Sequence, residues 1–476
     1  MWLRPDAQSN SPNRMKLPFS MAPFIRHISR LSLLMAISAA AQAPPSPPAQ
    51  APASVTLFSN VRIFDGKSGE LSAPSHVLVR GNKIEKISAS PIPTDRRGDT
   101  VLIDGGGRTL MPGLIDAHVH LMLESVPLQV ALMSEINYLS LVAGKAAEKQ
   151  LLRGFTTVRD MGGASFALKR AIDEGVIPGP RIYPSGATIS QTSGHGDFRL
   201  PPLVPRERGA PLTYPESTGM TAIADGVDEV LLRTRENLMR GATQIKVMAG
   251  GGVSSNYDPL DVTQYTLEEM QAAVRAAENW GTYVSVHAYT PHAIQLAIQA
   301  GVKCIEHGQL VDEETAKLMA AKGIWWSLQP FLDDPDATRF KEGSPNHLKQ
   351  LMVTRGTDRA YELAKKHKIQ TAFGTDTLFD AKLAPRQGAQ LTKLTRWYQP
   401  AEILKMATSD NASLLATCGL RNPYPGKLGV VEEGALADLL LVDGDPIIDI
   451  KLVEDPEKNF LVIMKDGKVY KNALRP

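Results

Sequence analysis

The stretch MPGLIDAHVHLML, residues 111–123, reads as a buried β-strand that ends in two histidines. His118 and His120 are alternate residues, and alternate side chains of a strand point to the same face. The 476-residue chain contains only ten histidines, so two of them at one strand end direct attention to a metal site. Two imidazoles held in this way can bind one ion, although an HxH pair alone is a weak signal.

Seven further short apolar strands follow this one and alternate with helical stretches. The eight predicted strands lie near residues 113–119, 156–160, 181–186, 243–251, 283–289, 304–308, 324–329 and 370–376. One helix is predicted over 266–281, where Thr266 and Glu269 form a capping-box signature and Gly281 is a stop. The alternation predicts an α/β fold, a (β/α)8 TIM barrel with insertions, over residues 112–424. A doubly wound open sheet is the alternative, although no G-x-G-x-x-G opens a helix.

Both ends of the remaining chain carry β patterns. Alternating strands begin at Val55, and similar strands return close to the C-terminus. Near that end, Asp466 and Gly467 are typical of a hairpin turn. We therefore expect residues 55–111 and 425–476 to pair into one small β-sandwich domain.

The N-terminal segment differs in composition from the rest. Residues 21–43 have a basic start, an apolar run of about ten residues and small residues ending in A-x-A, the layout of a secretory signal peptide. The apolar run is too short to form a stable membrane anchor. We predict a signal peptide over 1–43, with Met21 as an alternative translation start and Ala41 as an alternative cleavage point, and a proline-rich linker over 44–54. The protein is then expected to be secreted or periplasmic. A disordered tail with an accidental apolar patch is the other interpretation of this segment.

Charge and cysteine content exclude two classes of protein. The formal net charge is +2 and no dense Lys/Arg run occurs, which argues against nucleic acid as a partner. Only two cysteines, Cys304 and Cys418, are present, so a disulfide framework does not hold the fold together.

Other predicted strands end in side chains of similar chemistry. His287 and His307 each close a strand, Asp376 closes the last one, and Lys246 lies in an otherwise apolar strand. In a (β/α)8 barrel, catalytic groups come from the carboxyl ends of the strands, where these side chains would meet. Any one of these histidines alone is more often a hydrogen-bonded core residue, and a buried Lys246 could simply pair with an aspartate. Candidates on five strand ends favour a metal centre instead.

These motifs resemble those of the amidohydrolase superfamily. The segment PGLIDAHVHL resembles its first metal motif, and KVMAGGG, VHAYT, IEHG and FGTD are similar to its later strand-end motifs. The segment LGVVEEGALADLLLVDGDP resembles its C-terminal signature in the small β domain. The resemblance covers residues 55–470 and is greatest for the branch of metal-dependent carboxypeptidases and prolidase-like enzymes that includes ochratoxinase.

The resemblance implies a centre of two divalent metal ions, with zinc as the expected metal. The implied ligands are His118, His120, Lys246, His287, His307 and Asp376. The two histidines of the HxH motif would hold the buried ion together with the aspartate, and the two later histidines would hold the more exposed ion. Lys246, carboxylated by CO2, would bridge the two ions.

The same resemblance implies a reaction. The metals would activate a water molecule for attack on an amide carbonyl, and Asp376 would carry its proton to the leaving amine. Lys246 and the lack of an H-x-x-E in VHAYTPHAI favour such a hydrolase over a deaminase. The implied activity is cleavage of the amide bond before a C-terminal amino acid in dipeptides or N-acyl amino acids, with ochratoxin A as one candidate. Hydrolysis of cyclic amides or lactones is the nearest alternative, and a non-catalytic metal-binding protein is a third.

Substrate-binding residues are expected above the strands. His195 lies in the long loop 190–219 and resembles a histidine that helps to bind the substrate carbonyl or carboxylate. Tyr289 resembles a tyrosine that family members direct at the substrate carboxylate. A solvated loop histidine and a packing tyrosine are the alternatives. Further candidates are Arg199, Arg206 and Arg208 for a carboxylate, although basic loop residues are usually just solvated. Trp325, Trp326 and Phe331 are candidates for an apolar pocket, although core packing is the commoner fate of such residues. The resemblance also implies a homo-oligomer, with an octamer among the alternatives.

Overall fold

The fold is taken from a computed structural model of the full chain. The described residues are 54–95, 100–207 and 209–474. The chain divides into two compact units, and the second, Pro52–Pro476, contains every described residue. The predicted signal peptide and all but the last residue of the predicted linker lie outside the described residues. Within the described ranges, no helix combines the length and the hydrophobicity needed to cross a membrane.

The described part of the chain contains strands β1–β18 and helices α1–α13. The strands are β1 (Val55–Ile63), β2 (Ser75–Arg80), β3 (Lys83–Ser88), β4 (Thr100–Asp104), β5 (Thr109–Pro112), β6 (Leu114–Val119), β7 (Phe155–Asp160), β8 (Arg181–Pro184), β9 (Thr188–Ser190), β10 (Thr221–Ile223), β11 (Ile245–Met248), β12 (Val284–Ala288), β13 (Cys304–His307), β14 (Trp325–Leu328), β15 (Thr371–Phe373), β16 (Leu439–Val442), β17 (Phe460–Lys465) and β18 (Lys468–Asn472). The helices are α1 (Leu128–Met133), α2 (Ile136–Leu152), α3 (Phe166–Asp173), α4 (Tyr214–Ser217), α5 (Val227–Met239), α6 (Leu267–Trp280), α7 (Pro291–Ala300), α8 (Glu313–Ala321), α9 (Pro345–Lys366), α10 (Gln387–Thr392), α11 (Pro400–Lys405), α12 (Asn411–Ala416) and α13 (Pro456–Asn459).

The two ends of the described chain form one eight-stranded mixed sheet. Its order is β18-β17-β16-β5-β1-β2-β3, with β4 paired in parallel to β1. Strand β1 pairs with β4 as far as Ser59 and with β5 from Arg62 onward, so it belongs to both halves of the sheet. Asp466 and Gly467 both have positive φ, at 54° and 72°, and connect β17 to β18 as the predicted hairpin turn. The prediction that both chain ends share one sheet is confirmed.

All eight strands predicted for the central region are present and parallel to their neighbours. Strands β6, β7 and β8 form one sheet, and the other sheet has the order β10-β9-β11-β12-β13-β14-β15. The backbone N–H of Thr243 donates to the carbonyl of Pro184 at 2.8 Å, which connects β11 to β8. The N–H of Asp376 donates to the carbonyl of His118 at 2.8 Å, which connects the residues after β15 to the end of β6. The first and last of the eight strands are therefore joined at their carboxyl ends.

Helices between the strands begin and end where local chemistry predicts. The hydroxyl of Thr266 accepts the N–H of Glu269 at the start of α6, and Gly281 ends the helix in the left-handed conformation. The inner faces of α6 and α7 are rich in alanine, for example Ala273 and Ala297, and they join the main apolar core around the parallel strands. Small side chains allow these helices to lie close to the sheet. Cys304 and Cys418 are buried and unpaired, as expected for a fold without disulfides.

Candidate metal centre

The eight predicted site residues line one cavity of about 340 Å³. They are His118, His120, His195, Lys246, His287, Tyr289, His307 and Asp376. Most of them lie at or just beyond the carboxyl ends of parallel strands, which meet at one edge of the central sheets. The sequence prediction that these residues come together is therefore consistent with the structure.

Three of these residues form a tight group suited to one metal ion. Nε2 of His118 and Nε2 of His120 each lie 3.2 Å from the same carboxylate oxygen of Asp376. The potential ligand atoms of the three residues all lie within 4.8 Å of one another. Gly374 allows this approach, because a Cβ there would lie 2.7 Å from the backbone nitrogen of His118.

The remaining predicted ligands lie beside this group. Lys246 Nζ is 3.4 Å from His118 Nε2. The ring of His307 lies 5.1 Å from that of His118 and 4.5 Å from that of His287, measured between centroids. Lys246 thus contacts the tight group from one side, and His287 and His307 lie outside it, next to each other.

Each of the four histidine rings points one nitrogen at an acceptor outside the centre. Nδ1 of His118 lies 2.8 Å from a carboxylate oxygen of Glu306, and Nδ1 of His120 lies 3.1 Å from a backbone carbonyl. Nδ1 of His307 lies 2.7 Å from the side-chain oxygen of Gln329. Donation from each Nδ1 leaves the lone pair on Nε2. His287 uses the opposite nitrogen, because its Nε2 lies 3.0 Å from the carbonyl of Gly251.

Glu306 and Gln329 were missed by the sequence analysis. Both are fully buried polar side chains, one within and one directly after an apolar strand. This is the same signal that singled out Lys246, since a buried polar or charged side chain needs a partner. In the IEHG motif, only His307 was considered as a ligand, although Glu306 directly precedes it.

Burial sets the protonation of the centre. It lowers the pKa of His118 to about 4, with Lys246 adding to the shift, and that of His307 to about 3. The pKa of the Lys246 amine is also lowered by burial. Burial alone would raise the pKa of Asp376, but the contacts with His118 and His120 hold it below its ordinary value. Neutral imidazoles beside a carboxylate are the protonation states that metal binding requires.

The buried histidines predict a pH dependence of stability for the metal-free protein. In the folded state His118 stays neutral down to a pKa of about 4, whereas in the unfolded chain it binds a proton below about 6.5. Its contribution to stability is therefore complete above pH 6.5 and is lost as the pH falls toward 4. We expect His118→Asn to make the free energy of unfolding fall less steeply between pH 6.5 and 4 than in the wild type.

Urea titrations of the chelator-treated proteins across this range measure the effect. The comparison of the two proteins cancels the contributions of buried carboxyls such as Glu124, whose pKa is raised by burial to about 8. The same slope in both proteins would contradict a neutral, buried His118.

Two of the predicted ligands have unusual backbone conformations. His307 has a φ of 75° and Asp376 a φ of 51°, in the left-handed region that side chains other than glycine rarely adopt. The indole of Trp326 donates to the carbonyl of His307 at 2.6 Å, and the N–H of Asp376 bonds to the neighbouring strand β6. Such conformations cost energy and persist where neighbouring elements fix them, often at functional sites.

The two predicted substrate-binding residues lie beside His287. The ring of His195 stacks on that of His287 at a centroid distance of 4.1 Å, and its Nδ1 lies 2.6 Å from the hydroxyl of Ser255. Gly252 makes room for it, since a Cβ there would lie 1.9 Å from the His195 ring. The ring of Tyr289 lies 5.0 Å from that of His287. Its hydroxyl forms no hydrogen bond to any described residue, so it is available to a ligand.

Helix α9 holds the loop that contacts His195. The ammonium of Lys349 donates to the carbonyls of Gly252, Ser255 and Asp258 at 2.9, 3.0 and 2.6 Å. Asn346 donates to the same loop through its side-chain amide. The position of Ser255, and with it the orientation of His195, therefore depends on this helix.

The candidate arginines that the structure describes pair with acidic side chains of their own loop. Arg199 is paired with Asp197 at 2.7 Å and Arg206 with Glu216 at 2.9 Å, and neither lines the metal-centre cavity. Arg208 lies outside the described residues. The loop thus supplies acidic partners for its own arginines.

The two candidate tryptophans pack in the core, which is the commoner fate of such residues. Trp325 and Trp326 are buried in two different apolar clusters and do not line the cavity, whereas Phe331 does. The apolar side chains that line the cavity are Leu123, Leu128, Phe198, Met220, Met248, Val253, Phe331, Leu332, Phe340, Val353, Leu378, Phe379 and Leu383. The cavity therefore combines a polar floor, formed by the predicted site residues, with walls of mixed character. Polar side chains such as Arg339, Gln350 and Lys393 line the walls beside the apolar ones.

Comparison with known proteins identifies the family of the chain. The model of the amidohydrolase family matches residues 109–471. The chain belongs to the amidohydrolase family. This amidohydrolase is 33% identical to ochratoxinase from Aspergillus niger over 380 residues, which are 76% of this chain and 75% of the relative.

Solved structures of an ochratoxinase and of prolidase-like enzymes also match the chain. The crystal structure of A. niger ochratoxinase matches with a TM-score of 0.77 and 28% identity, covering 89% of this chain and 96% of that one. A prolidase complexed with N-methylphosphonate-L-proline matches with a TM-score of 0.79 and 34% identity, covering 88% of this chain and all of that one. A Xaa-Pro dipeptidase with bound methionine matches with a TM-score of 0.75 and 30% identity over the same shares. The chain is thus a metal-dependent amidohydrolase, a hydrolase of amide bonds, related to ochratoxinase and to Xaa-Pro dipeptidases.

Proposed function

We propose that this amidohydrolase uses two divalent metal ions to cleave the amide bond before a C-terminal amino acid. The observation that carries the proposal is the group of His118, His120 and Asp376, which shares one cavity with His195 and Tyr289. Substrates would be dipeptides or N-acyl amino acids. The prolidase, the Xaa-Pro dipeptidase and the ochratoxinase that the chain resembles support this substrate class.

The donor set suits two divalent ions, for which zinc is the expected metal. The residues that would hold them are His118, His120, Lys246, His287, His307 and Asp376. Burial favours the neutral amine of Lys246, which is the form that adds CO2 to give a carbamate and release a proton. When bound, the metals supply Lewis-acid activation of water and of the amide carbonyl.

The side chains of the cavity would move the proton and hold the substrate. The Asp376 carboxylate, ionised at neutral pH, would accept a proton from the attacking water and deliver it to the nitrogen of the leaving amine. The Tyr289 hydroxyl and the His195 ring would bind the C-terminal carboxylate. This orients the scissile carbonyl toward the three-residue ligand group.

The apolar part of the cavity walls supports a proposal about the side chains of the substrate. Phe331, Phe340 and Phe379 line the cavity together with leucine and valine side chains. Burying an apolar group against such walls is favourable by about 25 cal/mol per Å². We therefore propose apolar or aromatic residues and acyl groups, ochratoxin A among them, as preferred substrates.

The finer points of architecture belong to the same proposal. The eight central strands would close into a (β/α)8 barrel over residues 112–424, which the hydrogen bond between Asp376 and His118 supports. Residues 55–111 and 425–476 would form the β-sandwich domain, since apolar side chains from both halves of the sheet pack in one cluster. A signal peptide over 1–43 would direct the enzyme out of the cytoplasm. The enzyme would assemble into a homo-oligomer.

A substitution at Tyr289 tests recognition of the carboxylate. Tyr289→Phe should lower kcat/KM for N-acyl-phenylalanine by about 10–100-fold, because a hydrogen bond to a charged group contributes about 1.5–3 kcal/mol. It should also weaken inhibition by free phenylalanine, but not by phenylalaninamide. Tyr257→Phe, which removes a hydroxyl from an exposed tyrosine, is the matched control. Equal losses for the free acid and the amide would contradict a carboxylate-binding Tyr289.

A further inference from the structure

A buried ion pair lies directly beneath the metal centre. Glu306 and Arg159 have no solvent exposure, and Nη2 of Arg159 donates to Oε1 of Glu306 at 2.7 Å. The other oxygen of Glu306, Oε2, lies 2.8 Å from Nδ1 of His118. The Glu306 carboxylate therefore links the Arg159 guanidinium to His118, one of the predicted metal ligands.

The ion pair is held in place from several sides. Nε of Arg159 donates to the carbonyl of Ala117, the residue before His118, at 2.6 Å. The hydroxyl of Ser285 also donates to Oε1 of Glu306. As a result, Oε1 is committed to the guanidinium and the hydroxyl, and Oε2 faces the imidazole.

Stability alone gives little reason to keep such a pair. Moving two charges out of water is costly, and replacing a buried ion pair by apolar side chains is often neutral or stabilising. The pair also differs from the outer partners of the other predicted ligands. Outside the centre, His120 and His287 face backbone carbonyls and His307 faces Gln329. Among the predicted histidine ligands, which are all described, only His118 has a carboxylate as this outer partner.

We propose that Glu306 is a positioning residue for His118. By accepting a hydrogen bond from Nδ1–H, its carboxylate fixes the imidazole tautomer that leaves the Nε2 lone pair facing the metal centre. Arg159 fixes the carboxylate in turn. The proposal rests on the proposed function, since it concerns binding of the divalent metal, and outer partners of this kind strengthen and orient histidine ligands.

The variant Glu306→Gln reverses the hydrogen bond. Arg159 and Ser285 would donate hydrogen bonds to the amide oxygen of the new side chain, because both are donors at that position. The amide NH2 would then face Nδ1 of His118 and make it an acceptor. The proton would move to Nε2, the nitrogen that faces the centre.

The test is metal binding by the full-length protein, separately from activity. Titration of the metal-free protein with Zn²⁺ against a competing chelator should give about 10–100-fold weaker affinity in Glu306→Gln. The absorption spectrum of the Co²⁺ form should change as well. Cys304→Ser is the matched control, because the thiol lies 3.3 Å from the same carboxylate without contacting His118. It should leave both readouts unchanged.

A double variant separates positioning from stability. Arg159→Met with Glu306→Leu removes both charges, so the protein has no unpaired ion to bury. We expect this variant to fold and, like Glu306→Gln, to bind Zn²⁺ more weakly than the wild type does. Wild-type affinity and Co²⁺ spectrum in either variant would overturn the positioning role and leave the proposed function intact. A wild-type protein that binds neither ion would overturn both.

Discussion

Asp376→Asn should lower kcat by about 10²–10⁴-fold, the range that loss of a general acid–base group produces. Asparagine occupies the same volume, but its amide cannot accept the proton of the attacking water or pass it to the leaving nitrogen. KM should change much less, because Asp376 contacts His118 and His120 and has no assigned role in holding the substrate. Steady-state kinetics with an N-acyl-phenylalanine, at measured metal content, provide both constants.

The matched control for this variant is Asp380→Asn. Asp380 lies four residues further along the same segment, where its carboxylate accepts the backbone N–H groups of Lys382 and Leu383. Its substitution should leave kcat within a few-fold of the wild-type value. If Asp376→Asn retained activity similar to this control, Asp376 could not be the group that carries the proton.

Lys246→Ala should lower activity by about 10²–10³-fold, the loss that follows removal of one electrostatic stabiliser of the transition state. The variant should also retain fewer metal ions per chain, since the carbamate that would bridge the two ions is absent. Acetate or propionate should restore part of the activity, because a small carboxylate fits the space that the side chain vacates. Metal analysis and kinetics with and without added carboxylate measure these effects.

Lys246→Met is the matched control for the rescue. Its side chain fills the space of the lysine, so added carboxylate should not restore activity. Undiminished metal content and activity in Lys246→Ala would exclude a bridging role. Equal rescue of both variants would show that the carboxylate acts elsewhere.

The sequence predicted the central strands well because each is a short apolar run bounded by polar turns. It also predicted the polar floor of the cavity, since scarce histidines and one buried lysine stand out at strand ends. Strands β9 and β10, with three residues each, were missed because alternation cannot be recognised over so short a length.

The fate of the other candidate residues depends on contacts that the sequence pattern does not show. Trp325 and Trp326 point to opposite faces of β14, and neither face is the cavity, whose aromatic wall comes from the segments around Phe331 and Phe379. Arg199 was available in sequence as a carboxylate clamp, but Asp197 already neutralises it. The role of Arg159 likewise became visible only with the packing of β7 against β6 and β13 in three dimensions.

The most direct test of the central claim is hydrolysis of N-acyl-phenylalanine and of its C-terminal amide by the metal-loaded protein, before and after chelation. The proposed function predicts cleavage of the free acid, weak or no cleavage of the amide, and loss of activity on chelation with recovery on adding Zn²⁺. Cleavage of both compounds at equal rates would contradict recognition of the C-terminal carboxylate. Activity that survives complete removal of metal would contradict the metal-dependent mechanism itself.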